Sequence, residues 1–300
     1  MITRFTLVGE RELPDHLIAD TRSALTHLNW LGLAEERSEV RGLHVLHLRG
    51  TVPPVTFDHA GHDHAAMLRD LATGWHTLGV AAGVVRGDLA TQPPRLVVMD
   101  VDSTLIPVEV IEQIAARAGV EAEVEAITTA AMRGELDFAA SLARRVGMLA
   151  GVPTASLTEI AGSITFSPGA RELVDGVRSA GGTIAAVSGG FHEVVDRLAK
   201  RIGLDRALAN RLGVSDDGAH LDGTTRGEVV DASVKERTLL EWREEFGSPV
   251  VAIGDGANDL KMLAAADLGI AYCAKPVVAQ AADVAIPFPR LDAVLPFVGL

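Results

Sequence analysis

Three short polar clusters carry the side chains that could do chemistry: Asp100-Val101-Asp102-Ser103-Thr104, Ser188-Gly189-Gly190 and Gly254-Asp255-Gly256-Ala257-Asn258-Asp259. Each follows an apolar run. Carboxylates gathered from two such segments would repel one another, and a hard cation such as Mg²⁺, which prefers carboxylate and water oxygens, would relieve that. Asp100 and Asp102 stand two apart, so on a strand they share a face, and where the strand breaks one can point at a ligand while the next turns over it. An ionised carboxylate held against a cation can act as a nucleophile. A second carboxyl kept protonated can donate to a leaving oxygen. Gly189 and Gly190 allow backbone N–H groups to close on an anion at a helix start. Lys235 opens a helical segment and could bring a point charge to phosphate. Plainer readings stand beside these: Asp102, Ser103 and Asp259 are good helix caps, and a helix lysine is ordinarily solvated.

The elements that must hold these clusters are legible as a pattern. Leu96–Met99, Thr183–Val187, Pro249–Ile253, Leu268–Tyr272 and Val284–Ile286 are continuous apolar runs, as strands buried on both faces are. Helical segments at 170–179, 191–202, 234–246 and 257–265 separate them, which predicts an α/β fold with a Rossmann-like open parallel sheet. In such sheets the ligand sits outside the carboxyl ends of the strands, where the three clusters fall. Asp217-Gly218 predicts a β-hairpin between Arg211–Val214 and His220–Asp222. About 80 residues separate the first two parallel strands, too many for one crossover helix. Apolar stripes (Val110, Ile111, Ile114, Ala115; Val124, Ile127, Ala130, Ala131; Phe138, Leu142, Ala143, Val146) predict an inserted helical cap at about 107–168. A lid over the strand ends is its natural task.

The first 90 residues read as a separate small ferredoxin-like α+β domain, β-α-β-(β)-α-β, with Ile2–Val8 alternating as a strand. Composition changes near residue 92: eight of ten histidines precede it and all four lysines follow it. Gly87–Pro94, ending in a double proline, reads as a linker, so cutting there is expected to leave a folded catalytic domain, 95–300. His59, His62 and His64, with Asp58 and Asp63, have spacings that could bind a transition metal, although a flexible loop needs no ligand.

Composition narrows the partners. The chain has 300 residues, enough for about two domains, and 48% are hydrophobic. Its formal charge is −13 with 4% aromatics, which argues against nucleic acid. Cys273 is the sole cysteine, so no internal disulfide forms. No apolar run suggests a signal peptide or membrane span, and a cytoplasmic location is expected.

The ordered set of Asp100–Thr104, Ser188-Gly189-Gly190, Lys235 and Gly254–Asp259 resembles the four motifs of the haloacid dehalogenase superfamily of phosphohydrolases. Further stretches resemble the phosphoserine phosphatase branch of that superfamily: Glu109, Met132–Phe138, Ser141-Leu142, Arg144-Arg145-Val146, Ala209-Asn210-Arg211-Leu212 and Cys273-Ala274-Lys275-Pro276. The resemblance spans residues 95–300 and implies hydrolysis of O-phospho-L-serine through an aspartyl phosphate, the last step of serine biosynthesis. It implies Asp100 as nucleophile and Asp102 as acid and then base. Mg²⁺ would lie on Asp100, the Asp102 carbonyl and Asp255, with Asp259 nearby. Ser188, Gly189 and Lys235 would hold phosphoryl oxygens beside Asn258. Glu109 and Arg145 would meet the substrate ammonium and carboxylate, and Met132 and Phe138 would exclude water. The first 90 residues resemble an ACT-type regulatory domain in element order alone, with a homodimer through that unit expected. Three rivals are a related phosphatase acting on another small phosphate, a phospho-acceptor switch, which would want a stable aspartyl phosphate where a phosphatase needs an acid/base two residues on, and an amino-acid-binding module with a decayed site.

Overall fold

A computed structural model of the chain describes residues 2–52, 68, 71–72, 74–132 and 137–300, leaving out the side chains of 129–132. One eleven-stranded sheet runs through it in the order β2-β3-β1-β4-β11-β10-β9-β5-β6-β7-β8. The strands are β1 Ile2–Gly9, β2 Leu31–Val40, β3 Leu43–Thr51, β4 Val80–Val85, β5 Leu96–Met99, β6 Thr183–Phe191, β7 Arg206–Val214, β8 Leu221–Arg226, β9 Val250–Gly254, β10 Leu268–Tyr272 and β11 Val284–Ile286.

The apolar runs form the parallel part. β5 lies at its centre between β6 and β9, with Met99 opposite Ala186 on one side and Ile253 on the other. β5, β9 and β10 are buried along their whole length, as both faces carry helices. The hairpin expected at Asp217-Gly218 is present: Gly218 has φ +69° and Val214 pairs with Leu221 across β7 and β8.

Between β5 and β6 lie helices Val110–Ala118, Glu121–Met132, Phe138–Gly147 and Thr154–Ser163, then Ala170–Ser179 back on the sheet. The first stripe, Val110, Ile111, Ile114 and Ala115, is wholly buried. In the third, Leu142 and Val146 are buried but Ala143 is exposed, and Ser141 takes an inward place instead. The insert is stitched where it leaves and returns: Ser167 donates its N–H to the Leu105 carbonyl at 2.9 Å and its hydroxyl to the Thr104 carbonyl at 2.7 Å.

The first strands are antiparallel neighbours in the order β2-β3-β1-β4, that of a ferredoxin-like unit. This unit is not tethered by a loose linker. β4 pairs antiparallel with β11, Val284 opposite Gly83 and Ala285 opposite Ala82. The approach is so close that a Cβ on Gly83 would stand 2.4 Å from Val284 Cγ2. Residues 87–90 form a packed turn with Leu89 and Ala90 buried. β1 carries the same message. Its Phe5 and Leu7 pack with Leu17 and Leu25 of helix Asp15–His27. Its other face is buried too: Val8 joins the core of the parallel half, and Arg4 Nη2 donates to the Phe297 carbonyl at 2.7 Å.

The expectation of a freely separable catalytic fragment therefore changes. A chain beginning at Arg95 uncovers the edge of β11 and the apolar surface against Val8, Leu43, Val45 and Leu89. Such a fragment is expected to melt below the full chain and to self-associate through the opened edge, which calorimetry and light scattering would register. Equal melting temperatures would contradict the shared core. His59, His62 and His64 lie outside the described residues.

Candidate active site

The carboxyl ends of β5, β6 and β9 meet because their registers align, and the Asp100 N–H donates to the Ile253 carbonyl at 2.9 Å. After Asp100 the chain makes a tight loop, Val101–Leu105, closed by the Ile106 N–H on the Val101 carbonyl, in which Asp102 is extended and Ser103 adopts φ +56°. That loop sets the two aspartates apart. Asp100 Oδ1 accepts the Val101 N–H at 2.7 Å, and its Oδ2 lies 2.9 Å from Lys235 Nζ. Asp102 points toward the insert, where its Oδ1 accepts the Val110 N–H at 2.9 Å. Asp102 is not the N-cap of the first insert helix, which is Glu109, yet it takes that helix's first N–H from outside, while its other oxygen stays over the strand ends. A Cβ on Gly190 would stand 2.8 Å from that Oδ2, so a side chain there would displace Asp102.

Lys235 is not a solvated helix lysine: it is 0% exposed, with Nζ 2.7 Å from Asp259 Oδ1 as well as against Asp100. Asp231 caps its helix, Ala232–Phe246. Asp259 is equally buried, its Oδ2 accepting the N–H groups of Asp255 and Gly256. Asp255 Oδ1 accepts the Thr104 hydroxyl at 2.9 Å. Carboxylate oxygens of Asp100, Asp255 and Asp259 all lie within 4.8 Å of one another.

Burial raises the Asp100 carboxyl well above its ordinary range, and Asp259 adds to this against the pull of Lys235. Burial, then Asp259, pushes Asp255 up to about 6. Burial, then Glu109, pushes Asp102 up to about 7. Burial works to lower Lys235, but Asp100 and Asp259 outweigh it and the net direction is up. Several crowded hard-oxygen donors against one ammonium fit a divalent cation, which would relieve their repulsion. Replacing Lys235 with Met is expected to destabilise the fold by about 3–5 kcal/mol, because buried carboxylates lose their counter-charge. Urea denaturation measures this, and a loss under about 1 kcal/mol would be that of an exposed pair.

A cavity of about 540 Å³ opens between the strand ends and the insert. Asp100, Asp102, Gly189, Asp255 and Asn258 line its floor; Glu109, Phe138 and Arg145 line its cover. Ser188 is buried beneath and accepts the Gly190 N–H at 2.8 Å. Ser103 donates to Glu109 Oε1 at 2.8 Å. Arg145 is lowered by burial and held up by Glu109, Asp102 and Glu112. The structure thus gathers these residues at one cavity with Lys235 and Asp259 under it; the Met132 side chain lies outside the described residues. Sequence reasoning gave no role to Glu112, Thr128, Ser141 or the Thr104 hydroxyl, although Ser141 and Thr104 stood in its motifs. Glu112 and Thr128 line the cover, Thr128 accepting from Arg145 Nη1 at 3.5 Å. Ser141 also lines it, one helical turn before Arg145, and its buried hydroxyl has no hydrogen-bond partner among the described residues. Spacing from Glu109 and Arg145 along their helices was the available signal.

Comparison with known proteins agrees with this geometry. A family model for haloacid dehalogenase-like hydrolases matches residues 94–267. A phosphoserine phosphatase of Streptomyces coelicolor is 46% identical over 252 residues, 83% of this chain and 61% of that protein. The chain therefore spans less than two thirds of that relative's length. A phosphoserine phosphatase of Streptococcus thermophilus is 48% identical over 203 residues, 67% of this chain and 94% of that one. The solved structure of a HAD family hydrolase from Salmonella enterica subsp. enterica serovar Typhi superposes with TM-score 0.80 at 27% identity, covering 99% of this chain and 98% of its own.

Proposed function

The chain belongs to the haloacid dehalogenase-like hydrolases, and from that premise we propose that it is a Mg²⁺-dependent phosphatase acting on O-phosphoserine. One observation carries the reading: a buried aspartate paired with a buried lysine faces, across a single cavity, a second carboxyl pushed up to about 7 and an arginine beside two glutamates.

Asp100 attacks phosphorus, and the bond from phosphorus to the serine oxygen breaks as an aspartyl phosphate forms. Asp102 in its acid form gives its proton to the departing oxygen, then takes one from the water that hydrolyses the intermediate. Ser188, the backbone at Gly189, and Lys235 receive the phosphoryl oxygens, with Asn258 beside them. Asp100, Asp255 and Asp259, with the Asp102 carbonyl, would hold Mg²⁺, which supplies charge neutralisation at the phosphoryl group. Arg145 meets the substrate carboxylate, and Glu109 the ammonium. Phe138 closes the cover against water. No helix among the described residues is long and apolar enough to cross a membrane. A cytoplasmic enzyme fits this role, and the outer strand β2 is the edge on which a second copy's N-terminal unit would pair.

Phosphate release from a panel of phosphomonoesters, with and without Mg²⁺, tests the proposal, and Arg145 sharpens it. Phosphoethanolamine shares phosphate and ammonium with phosphoserine but lacks the carboxylate. Arg145→Ala is expected to cut kcat/KM for phosphoserine by roughly 10–150-fold, with little change for phosphoethanolamine. A variant that kept the original preference would remove Arg145 from substrate reading.

A further inference from the structure

β6 and β7 keep parallel register from Ala185 opposite Arg206 to Val187 opposite Leu208, and the next pair is Phe191 with Asn210. β6 has advanced four residues while β7 has advanced two, so Ser188, Gly189 and Gly190 bulge out of the ladder. A bulge strands backbone groups that must find partners elsewhere. Two side chains supply them. His192 Nε2 accepts the Ala209 N–H at 3.1 Å. Asn210 Nδ2 donates to the Gly189 carbonyl at 2.8 Å, and its Oδ1 accepts the Val230 N–H at 2.8 Å. Asn210 is 1% exposed, and its two backbone partners fix which end of the amide faces which.

The Gly189 carbonyl and the Gly190 N–H belong to one trans peptide, so they point in opposite directions. Holding the carbonyl on Asn210 aims the N–H at Ser188 Oγ, where it donates at 2.8 Å. With its oxygen accepting that N–H, Ser188 keeps its own proton to donate, and the proposed role gives that proton to an anion bound at the strand ends. The other end of Asn210 grips residue 230, next to Asp231, which caps the helix carrying Lys235. One buried amide therefore spans both segments that supply phosphate-binding groups.

We infer that Asn210 is a positioning residue for the phosphoryl site, setting the Ser188–Gly190 bulge and the approach to Lys235 in register before any ligand arrives. The inference rests on the phosphatase reading for the use of that site, but its test does not need phosphoserine. Inorganic phosphate binding to the full chain with Mg²⁺ is measured by calorimetry for the native protein, Asn210→Asp and Asn210→Ala. The aspartate keeps an acceptor for Val230 but, ionised, offers Gly189 no donor; alanine offers neither. Both variants are expected to bind phosphate at least about 10-fold more weakly, with KM raised and kcat lowered on phosphoserine. An aspartate variant binding phosphate as the native protein does would overturn the proposal. Should a variant fail to fold, the native chain labelled with ¹⁵N-glycine decides. Its Gly190 amide is expected to be protected from exchange and to shift on adding phosphate, and free-loop exchange would overturn the proposal. Phosphate binding that depends on Asn210 in a protein inert toward phosphoserine would refute the substrate and leave the positioning role standing.

Discussion

Asp100→Asn is expected to lower phosphoserine hydrolysis by about 10⁴- to 10⁶-fold in a protein that still folds. The amide keeps the shape of the carboxyl and an oxygen for the Val101 N–H. It removes the negative charge that attacks phosphorus and a donor of the kind a hard cation prefers. Folding is spared because Lys235 retains Asp259 as partner and the amide fills the space of the carboxyl. Phosphate release, with melting as the control, checks this. A pure variant retaining more than about 1% of the native rate would sink covalent catalysis at Asp100.

Asp102→Asn is expected to cost roughly 10²- to 10⁴-fold, the usual worth of a general acid, with a loss that depends on the leaving group. Serine departs as an alkoxide and needs a proton; an aryl oxide needs it far less. Single-turnover phosphoryl transfer should therefore suffer much more with phosphoserine than with an aryl phosphate. Equal losses would assign Asp102 another task. The acid form prevails below the value of about 7 to which burial and then Glu109 push this carboxyl. The native transfer rate to phosphoserine should accordingly fall as pH rises through that value, and the asparagine variant should lack that fall.

The parallel half of the sheet was legible because strands buried on both faces are written as unbroken apolar runs, as in Leu96–Met99 and Val250–Ile253. β2 was not. It is an edge strand, nearly all exposed, and its Glu35, Glu36, Arg37 and Glu39 show no inward set. β1 was legible as a strand, but the destination of its second face was hidden. Arg4 and Thr6 look like solvent positions, yet they are buried against the rest of the chain. Polar residues at an internal seam cannot be told from surface residues by pattern. At the site, Asp100, Asp255 and Asp259 stood out because acids at the ends of apolar strands have little else to do. Lys235 did not reveal its burial, since a helix lysine reads the same in water or in a core. No role could be read for Ser141 or Glu112 for a related reason: their importance comes from the helix pair that brings them over the strand ends.

The bond from the Val110 N–H to Asp102 has a consequence for the order of events in a turnover. The proton donor is fastened to the first residue of the helix that begins the cover, so the two travel together. If the cover swings away to admit phosphoserine or release serine, it draws Asp102 off the line on which the leaving oxygen departs. Bringing it back restores that line at the moment water is being shut out. On the proposed mechanism that one hydrogen bond would set the timing, since the acid is in line for its oxygen only while the chamber is closed.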